Sequence, residues 1–550
     1  MGEIRRQEFF VFMHSEYYEL RWKQAGLVLA ATWLALTLPA LAGEPGSLIS
    51  KGPYIQAPTT ETMVVMWESL TNTPGTVRFG VKGGLDLEVK DIHPRIMKGR
   101  SSSGSAPAAF YIYAAALKDL KPGTTYGYSV ELGGVRTPAH HFKTFTPGAE
   151  TVRFIAYGDT RSDPQVHAGL AKRFREHAPE FILHTGDLVA KGPDYGLWAK
   201  EFFTPMESVI DEVPFFSVIG NHEEDGTNYL AYFHLPGKEL WYALDIGPVH
   251  VLALDYHFED SGSEQFQFAS NDLATNRAPW KIVLVHTPVF NIGGHVSAWG
   301  QSNYLPLFFR TKVDLVLAGH SHLYERFRPV APKGEHDWAI THVTTGGGGA
   351  NLHPSFDHPA LLVRETTNHY MVFDVTRDTL QAKTIRANGT LLDSFELKKT
   401  DGRMASEYLA QVYPEESLKL FHDVVPSLAS RAASVPKTNE PARVLLSLAP
   451  RKASSEPAEL EITVAPQSAP YYELEDGPLR TSTPSAGQTN SVLWATVRAS
   501  GKTAITLSKN DELLPPLVLM ARVKSGGEET IAYGARCRLS KTAAAAAKRL

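Results

Sequence analysis

"VDLVLAGHSHLYERF", residues 313–327, opens as an apolar run and closes on two histidines separated by one residue. The run is as short as a buried strand and stops at Gly319, so it reads as sheet and not as helix. A lone histidine after such a strand would read as core filling or as a surface group. His320 and His322, on alternate positions past a glycine, ask for a reason that the strand alone does not supply.

Working outward, the same form recurs. "TVRFIAYGD" (151–159), "EFILHTGD" (180–187), "PFFSVIGNHE" (214–223), "VHVLALDY" (249–256) and "WKIVLVHTP" (280–288) are apolar runs of buried-strand length. Between the first two lies "SDPQVHAGLAKRFREH" (162–177), a helix that Asp163 can cap and Pro164 can start, with Val166, Leu170 and Phe174 on one face. Strands alternating with helices predict an α/β domain over 150–397, a sheet sandwich flanked by helices. "TIRANGTLLDSFEL" (384–397) closes it as a hairpin turning at Asn388-Gly389.

Five of these runs end in side chains that can hold a metal: Asp159, Asp187, Asn221 with His222, His286, and His320 with His322. Sheets of this kind gather ligand sites at the carboxyl ends of their strands, so donors distant in sequence can meet. Each residue alone reads as a turn, a helix cap or a core histidine. Five separate strands repeating the same ending do not. Carboxylate, amide oxygen and imidazole suit Fe, Zn or Mn, and no thiolate accompanies them. Two ions need a bridging carboxylate with donors on either side, which this set can provide.

The flanks read differently. Residues 48–147 carry short strands such as "ETMVVMWES" (61–69) and "GTVRFGV" (75–81), which predict a small β-sandwich. Within them "LKDLKPGTTYGYSV" (117–130) resembles the L-x-P-G-T-x-Y-x-Y strand junction of fibronectin type III domains. Residues 400–435 read as a helical connector of two short helices. Residues 436–540 read as a second β domain with strands in "LEITVAP", "SVLWATVRA", "TAITL" and "PLVLMARVK", and 541–550 as a tail.

At the N-terminus Arg21 and Lys23 precede the apolar stretch 25–42, which ends in Ala40-Leu41-Ala42. That reads as a cleaved signal peptide (1–42), with a retained N-terminal anchor as the alternative, and places the protein in a periplasmic or extracellular setting. After cleavage no stable membrane span is expected. Cys537 is the only cysteine, so no disulfide can form within the chain. Net charge is −5, from 54 basic and 59 acidic residues. A balance of that kind leaves no footprint for duplex nucleic acid.

The motifs G-D, G-D, G-N-H-[DE], V-x-x-H and G-H-x-H, in this order, resemble those of calcineurin-like metallophosphoesterases. "GHSHLYER" (319–326) and the glycine-rich "VTTGGGG" (343–349) resemble purple acid phosphatases in particular, as does a fibronectin-like domain ahead of the catalytic one. The resemblance spans about residues 50–397. It implies that Asp187 bridges two metal ions, with Asp159 and His322 on one and Asn221, His286 and His320 on the other. It also places His222 and His295 beside the substrate, so that His320 and His322 each reach a different ion.

This chain departs from the pattern twice. Ala190 stands where purple acid phosphatases have the tyrosine that colours their iron, and Arg161 stands where related enzymes have a histidine ligand. One ion is therefore short of a protein donor. Water, substrate or His167 on the following helix could complete it, and Tyr195 could replace the missing tyrosine. Arg161 can instead offer its forked donors to a phosphate oxygen, or make a structural ion pair.

The implied activity is hydrolysis of a small phosphate monoester. Paired ions acidify a water that attacks phosphorus in line, and His222, with His295 as helper, protonates the leaving group. Tyr324, Glu325 and Arg326 brace the site without doing chemistry. A phosphodiesterase acting on nucleotides or lipid headgroups would use the same donors. A surface binding protein with a structural or inactive metal site is the reading from another class.

Overall fold

The apolar runs become strands whose two faces are both covered, as their lack of alternation requires. The computed structural model describes residues 48–418, except 102–105, 296, 336 and 356, together with strand segments between 429 and 537. The expected signal segment 1–42, the "TAITL" strand and the tail 541–550 lie outside the described residues. Among the described residues no helix is long and apolar enough to cross a membrane.

Two seven-stranded sheets form the central domain. In the first, Thr151–Tyr157 runs parallel to Phe181–His184, which runs parallel to Phe215–Ser217. On its other side it is antiparallel to His369–Thr376, and the hairpin Thr379–Arg386 with Leu391–Thr400 continues the sheet. Gly389 turns that hairpin at φ +87°. In the second sheet Val249–Leu254, Trp280–Val285, Leu315–Ala318 and Thr341–Thr345 are successive parallel neighbours.

Alternate residues of one strand serve different cores. Ile282 and Leu284 join the core shared with the first sheet, where Phe154 stacks between Phe181 and Phe373. Val283 and Val285 join a second core with Leu273, Leu305 and Phe308, on the helices Glu264–Thr275 and Tyr304–Arg310. Each such side chain, taken fully from water, stabilises the fold by about 1.5–3 kcal/mol. This double burial explains why these strands carry no polar face.

The N-terminal β-sandwich pairs a four-stranded sheet with a five-stranded one. In the fibronectin-like stretch the Tyr126 hydroxyl accepts from the backbone N–H of Lys121 at 2.8 Å, the bond of a tyrosine corner. The sandwich is anchored to the central domain by a buried carboxylate. Glu68 accepts from Lys51 Nζ at 2.6 and 2.7 Å, Ser50 at 2.6 Å, and the hydroxyls of Tyr195 and Tyr232 at 2.7 Å each.

The described part of the connector mixes two short helical stretches with strand pairing. Over 400–418 only Ser406–Leu409 and residues 415–418 are helical. Arg403–Met404 extends the first sheet, Tyr413–Pro414 pairs with Val330–Ala331, and Ala429–Arg431 is already a strand of the C-terminal region. Pairing with sheet edges satisfies this backbone, which a short helix would leave half unpaired at its ends. The described C-terminal strands form two four-stranded sheets. Leu460, Ile462, Tyr472 and Val497 join the second central core, so this region is packed against the central domain.

Candidate metal centre

Every ligand candidate sits where a strand stops. Asp159 follows Thr151–Tyr157, Asp187 follows Phe181–His184, His286 follows Trp280–Val285 and His320 follows Leu315–Ala318. The backbone turns sharply there: Asp159, Asp187 and His320 hold φ of 58°, 58° and 65°. Left-handed backbone at non-glycine residues costs of order 1–3 kcal/mol, and it clusters at functional sites. The glycine before His320 is required by close approach, because a Cβ on Gly319 would collide with Oδ2 of Asp159 and Oγ1 of Thr185.

Ligand atoms of Asp159, Asp187 and His286, all buried, lie within 4.8 Å of one another. His286 Nδ1 faces the carbonyl of Thr185 at 2.8 Å and can donate to it, so the neutral ring presents a lone pair at Nε2. That lone pair faces Asn221 Oδ1 at 3.0 Å and Asp187 Oδ1 at 3.4 Å. His320 Nδ1 approaches the same Asn221 oxygen at 3.0 Å. Acceptors pointed at one another are unfavourable unless a cation lies among them, so this donor set fits a metal ion.

The other half of the site is built similarly. His322 Nδ1 faces the Asn351 carbonyl at 2.7 Å, leaving Nε2 to face Asp159 Oδ1 at 3.5 Å. Here Arg161 intervenes, its Nη2 being 3.3 Å from His322 Nε2 and its Nε 3.3 Å from Asp187 Oδ2. Burial works against the Asp187 carboxylate, yet His286, His222 and Arg161 beside it hold its pKa below the usual range. Burial, with His286 and His295 adding to it, pushes His320 down to about 2, so its ring stays neutral.

His222 and His295 border the same ground. The His222 backbone N–H donates to Asp187 Oδ1 at 2.9 Å, and its Nε2 lies 3.9 Å from Asp187 Oδ2. The exposed His295 ring lies 5.0 Å from that of His320 and 6.4 Å from that of His322. The site therefore gathers Asp159, Arg161, Asp187, Asn221, His222, His286, His295, His320 and His322 from separate strand ends and loops.

Two substitutes for the missing donor are excluded by position. His167 is buried in the core, bonded to the Glu201 carbonyl at 2.8 Å and to the Tyr157 hydroxyl at 3.0 Å. Tyr195 is committed to Glu68 in the domain junction. Both expectations came from proximity in sequence, and core and interface packing took each side chain elsewhere.

Other contributors escaped the sequence reading. His353 stacks on His322 at 4.0 Å between centroids and accepts from its backbone N–H at 3.0 Å. Glu223 accepts from the backbone N–H groups of Gly220, Asp187 and Leu188 at 2.7–2.9 Å, tying two ligand loops together. Burial, then the nearby Asp187, pushes its pKa up to about 8. Glu325 behaves as the brace the sequence suggested: it accepts from the amides of Ile292 and Gly293 at 3.0 and 2.7 Å, and so holds the loop that carries His295.

Comparison with known proteins agrees with this geometry. Residues 152–324 match the calcineurin-like phosphoesterase family model, and residues 53–144 match the N-terminal domain model of purple acid phosphatases. Human acid phosphatase type 7 is 28% identical over 325 residues, which cover 52% of this chain and 69% of that protein. Purple acid phosphatase 22 of Arabidopsis thaliana is 30% identical over 260 residues, covering 43% of this chain and 58% of that protein. The structure of a purple acid phosphatase from yellow lupin seeds superposes with a TM-score of 0.56 at 20% identity, over 65% of this chain and 75% of that one. Residues 152–324 thus form a calcineurin-like phosphoesterase domain, the fold of a phosphoric ester hydrolase. A domain matching the N-terminal domain of purple acid phosphatases precedes it, and the chain's relatives include acid and purple acid phosphatases.

Proposed function

We propose that the chain hydrolyses small phosphate monoesters with metal ions held at the strand ends. The convergence of buried Asp159, Asp187 and His286 donors within 4.8 Å carries this reading. The donors fall into two groups that share Asp187, the layout of a dinuclear centre. Asn221, His286 and His320 form one group, and Asp159 with His322 forms the other, one donor short. Fe, Zn and Mn all suit such donors.

When bound, such ions acidify a water and neutralise charge on phosphoryl oxygens. The protein side chains do the rest. Arg161 offers a fork of N–H donors to the phosphoryl oxygens. His222, whose Nδ1 lies 2.7 Å from the Ala190 carbonyl, points Nε2 into the site, where it can deliver a proton to the departing alkoxide. His295 stands across the site on the loop that Glu325 secures, and assists that transfer. The apolar stretch 25–42 supports export to a periplasmic or extracellular setting, where a phosphate ester would be met as a small solute.

The test is phosphate release by metal-loaded protein from a mono-aryl and a bis-aryl phosphate. Chelator-sensitive turnover that favours the monoester is the expected result. Faster turnover of the bis-aryl ester would make the protein a diesterase. No turnover of either ester under Fe, Zn or Mn would leave a binding protein.

A further inference from the structure

The two halves of the metal centre differ in what neutralises them. Around Asn221 and His286 the acceptors face one another with no cationic side chain between the two nearest atoms, Oδ1 and Nε2 at 3.0 Å. Around Asp159 and His322 a cation is already built in. Arg161 spans the lone pair of His322 and the Oδ2 oxygen of Asp187, each at 3.3 Å. Its side chain is 17% exposed, and its Nη1 also reaches Ser162 Oγ at 3.4 Å.

We infer that the Arg161 guanidinium stands in for the second ion, so that the chain binds one metal tightly and admits another only by displacing this side chain. The inference rests on the metal reading above and refines it. A guanidinium stays protonated under all working conditions, so it brings a permanent positive charge to the half-site. Its donors take the same lone pairs, on His322 Nε2 and Asp187 Oδ2, that an ion would need. Ion and arginine therefore compete for atoms as well as repel through charge.

The chain's departures from the expected ligand pattern agree with this division. Ala190 leaves the Asp159–His322 half without the tyrosine donor, and Arg161, where the alternative histidine donor would stand, supplies a charge in its place. The Asn221–His286–His320 half has lost nothing. A phosphoryl group bound across the site would meet one ion on one side and the forked donors of Arg161 on the other.

Metal retention tests this without reference to turnover. Apo-protein is loaded with Mn²⁺ or Co²⁺, desalted and analysed for ions per chain, with electron paramagnetic resonance of the Mn²⁺ form to detect a coupled pair. Wild type should retain one ion and show no pair, whereas Arg161→His, which installs an imidazole ligand, should retain two and show one. Arg161→Ala and Arg161→Gln should take up the second ion at about tenfold lower free metal than wild type, since the charge-assisted bonds holding the seat are gone. Melting curves confirm that each variant is folded, and the two milder variants stand if the histidine variant does not fold. Two tightly held ions in wild type, or second-ion affinity unchanged in both milder variants, would overturn the inference and leave the phosphoesterase reading in place. Failure of every folded variant and wild type to retain any ion would overturn both.

Discussion

His222 holds the backbone carbonyl of Ala190 at 2.7 Å from its Nδ1, and this contact fixes which nitrogen faces the site. The neutral ring donates from Nδ1, so Nε2 is the atom that gains and loses the working proton. If that proton goes to the leaving group, His222→Ala should slow esters of poor alkoxide leaving groups by roughly 10²–10⁴-fold. Aryl phosphates, whose phenolate leaves unaided, should lose much less. Steady-state kinetics on an alkyl and an aryl monoester check this, and equal losses on both would remove the proton-donor role.

Ala190 has a second consequence, because no tyrosine oxygen reaches the site from that position. Its N–H instead donates to the buried Glu201 carboxylate at 2.7 Å. Iron-loaded protein should therefore show no tyrosinate charge-transfer band in its visible spectrum. Should a band appear, Tyr256 is the residue to examine, since its ring lies 5.7 Å from that of His286. Tyr256→Phe would then abolish it.

The placement of the candidate donors was legible in the sequence because local rules put them at strand ends. A short apolar run, a glycine and then Asp, Asn or His is a pattern that backbone geometry itself produces, as the left-handed Asp159, Asp187 and His320 illustrate. Glu223 was in plain view beside His222, yet its role depends on amides of Asp187 and Leu188 from another loop. His353 follows no strand, and nothing in its neighbours foretells that it stacks on His322. In the connector the two short helical stretches, Ser406–Leu409 and 415–418, follow local propensity, whereas the pairing of Arg403–Met404 and Tyr413–Pro414 with sheet edges is a tertiary effect that local pattern does not carry.

The Glu68 cluster was equally invisible, and it yields a stability prediction. Lys51 and Glu68 face each other with side chains 2% and 0% exposed. Removing one member strands the other charge in a medium that cannot solvate it, at a cost of about 3–5 kcal/mol. Glu68→Ala should therefore lower the melting temperature sharply, because it also frees the Tyr195 and Tyr232 hydroxyls that join the two domains. Lys51→Met combined with Glu68→Leu should recover much of the loss, since no buried charge remains. Thermal unfolding of the single and double variants checks the coupling, and strictly additive losses would contradict it.

His250 supplies a pH-dependent term remote from the metal site. Its ring is buried between Asp245, 2.9 Å from Nδ1, and Asp272, 2.7 Å from Nε2. The Asn276 amide also touches it, and Lys281 is its neighbour on the adjoining strand. Burial lowers its pKa, but the bonds and charges of Asp245 and Asp272 prevail and raise it to about 8. A histidine whose folded pKa exceeds its unfolded value of 6.5 binds its proton more tightly in the native state. Its contribution, of the order of 2 kcal/mol for such a shift, is fully present below about pH 6.5 and fades as pH rises through 8. The gap in melting temperature between wild type and His250→Gln should accordingly be wide at pH 6 and narrow by pH 9. A gap that stays constant over this range would mean that the ring is held by packing and not by its two carboxylates.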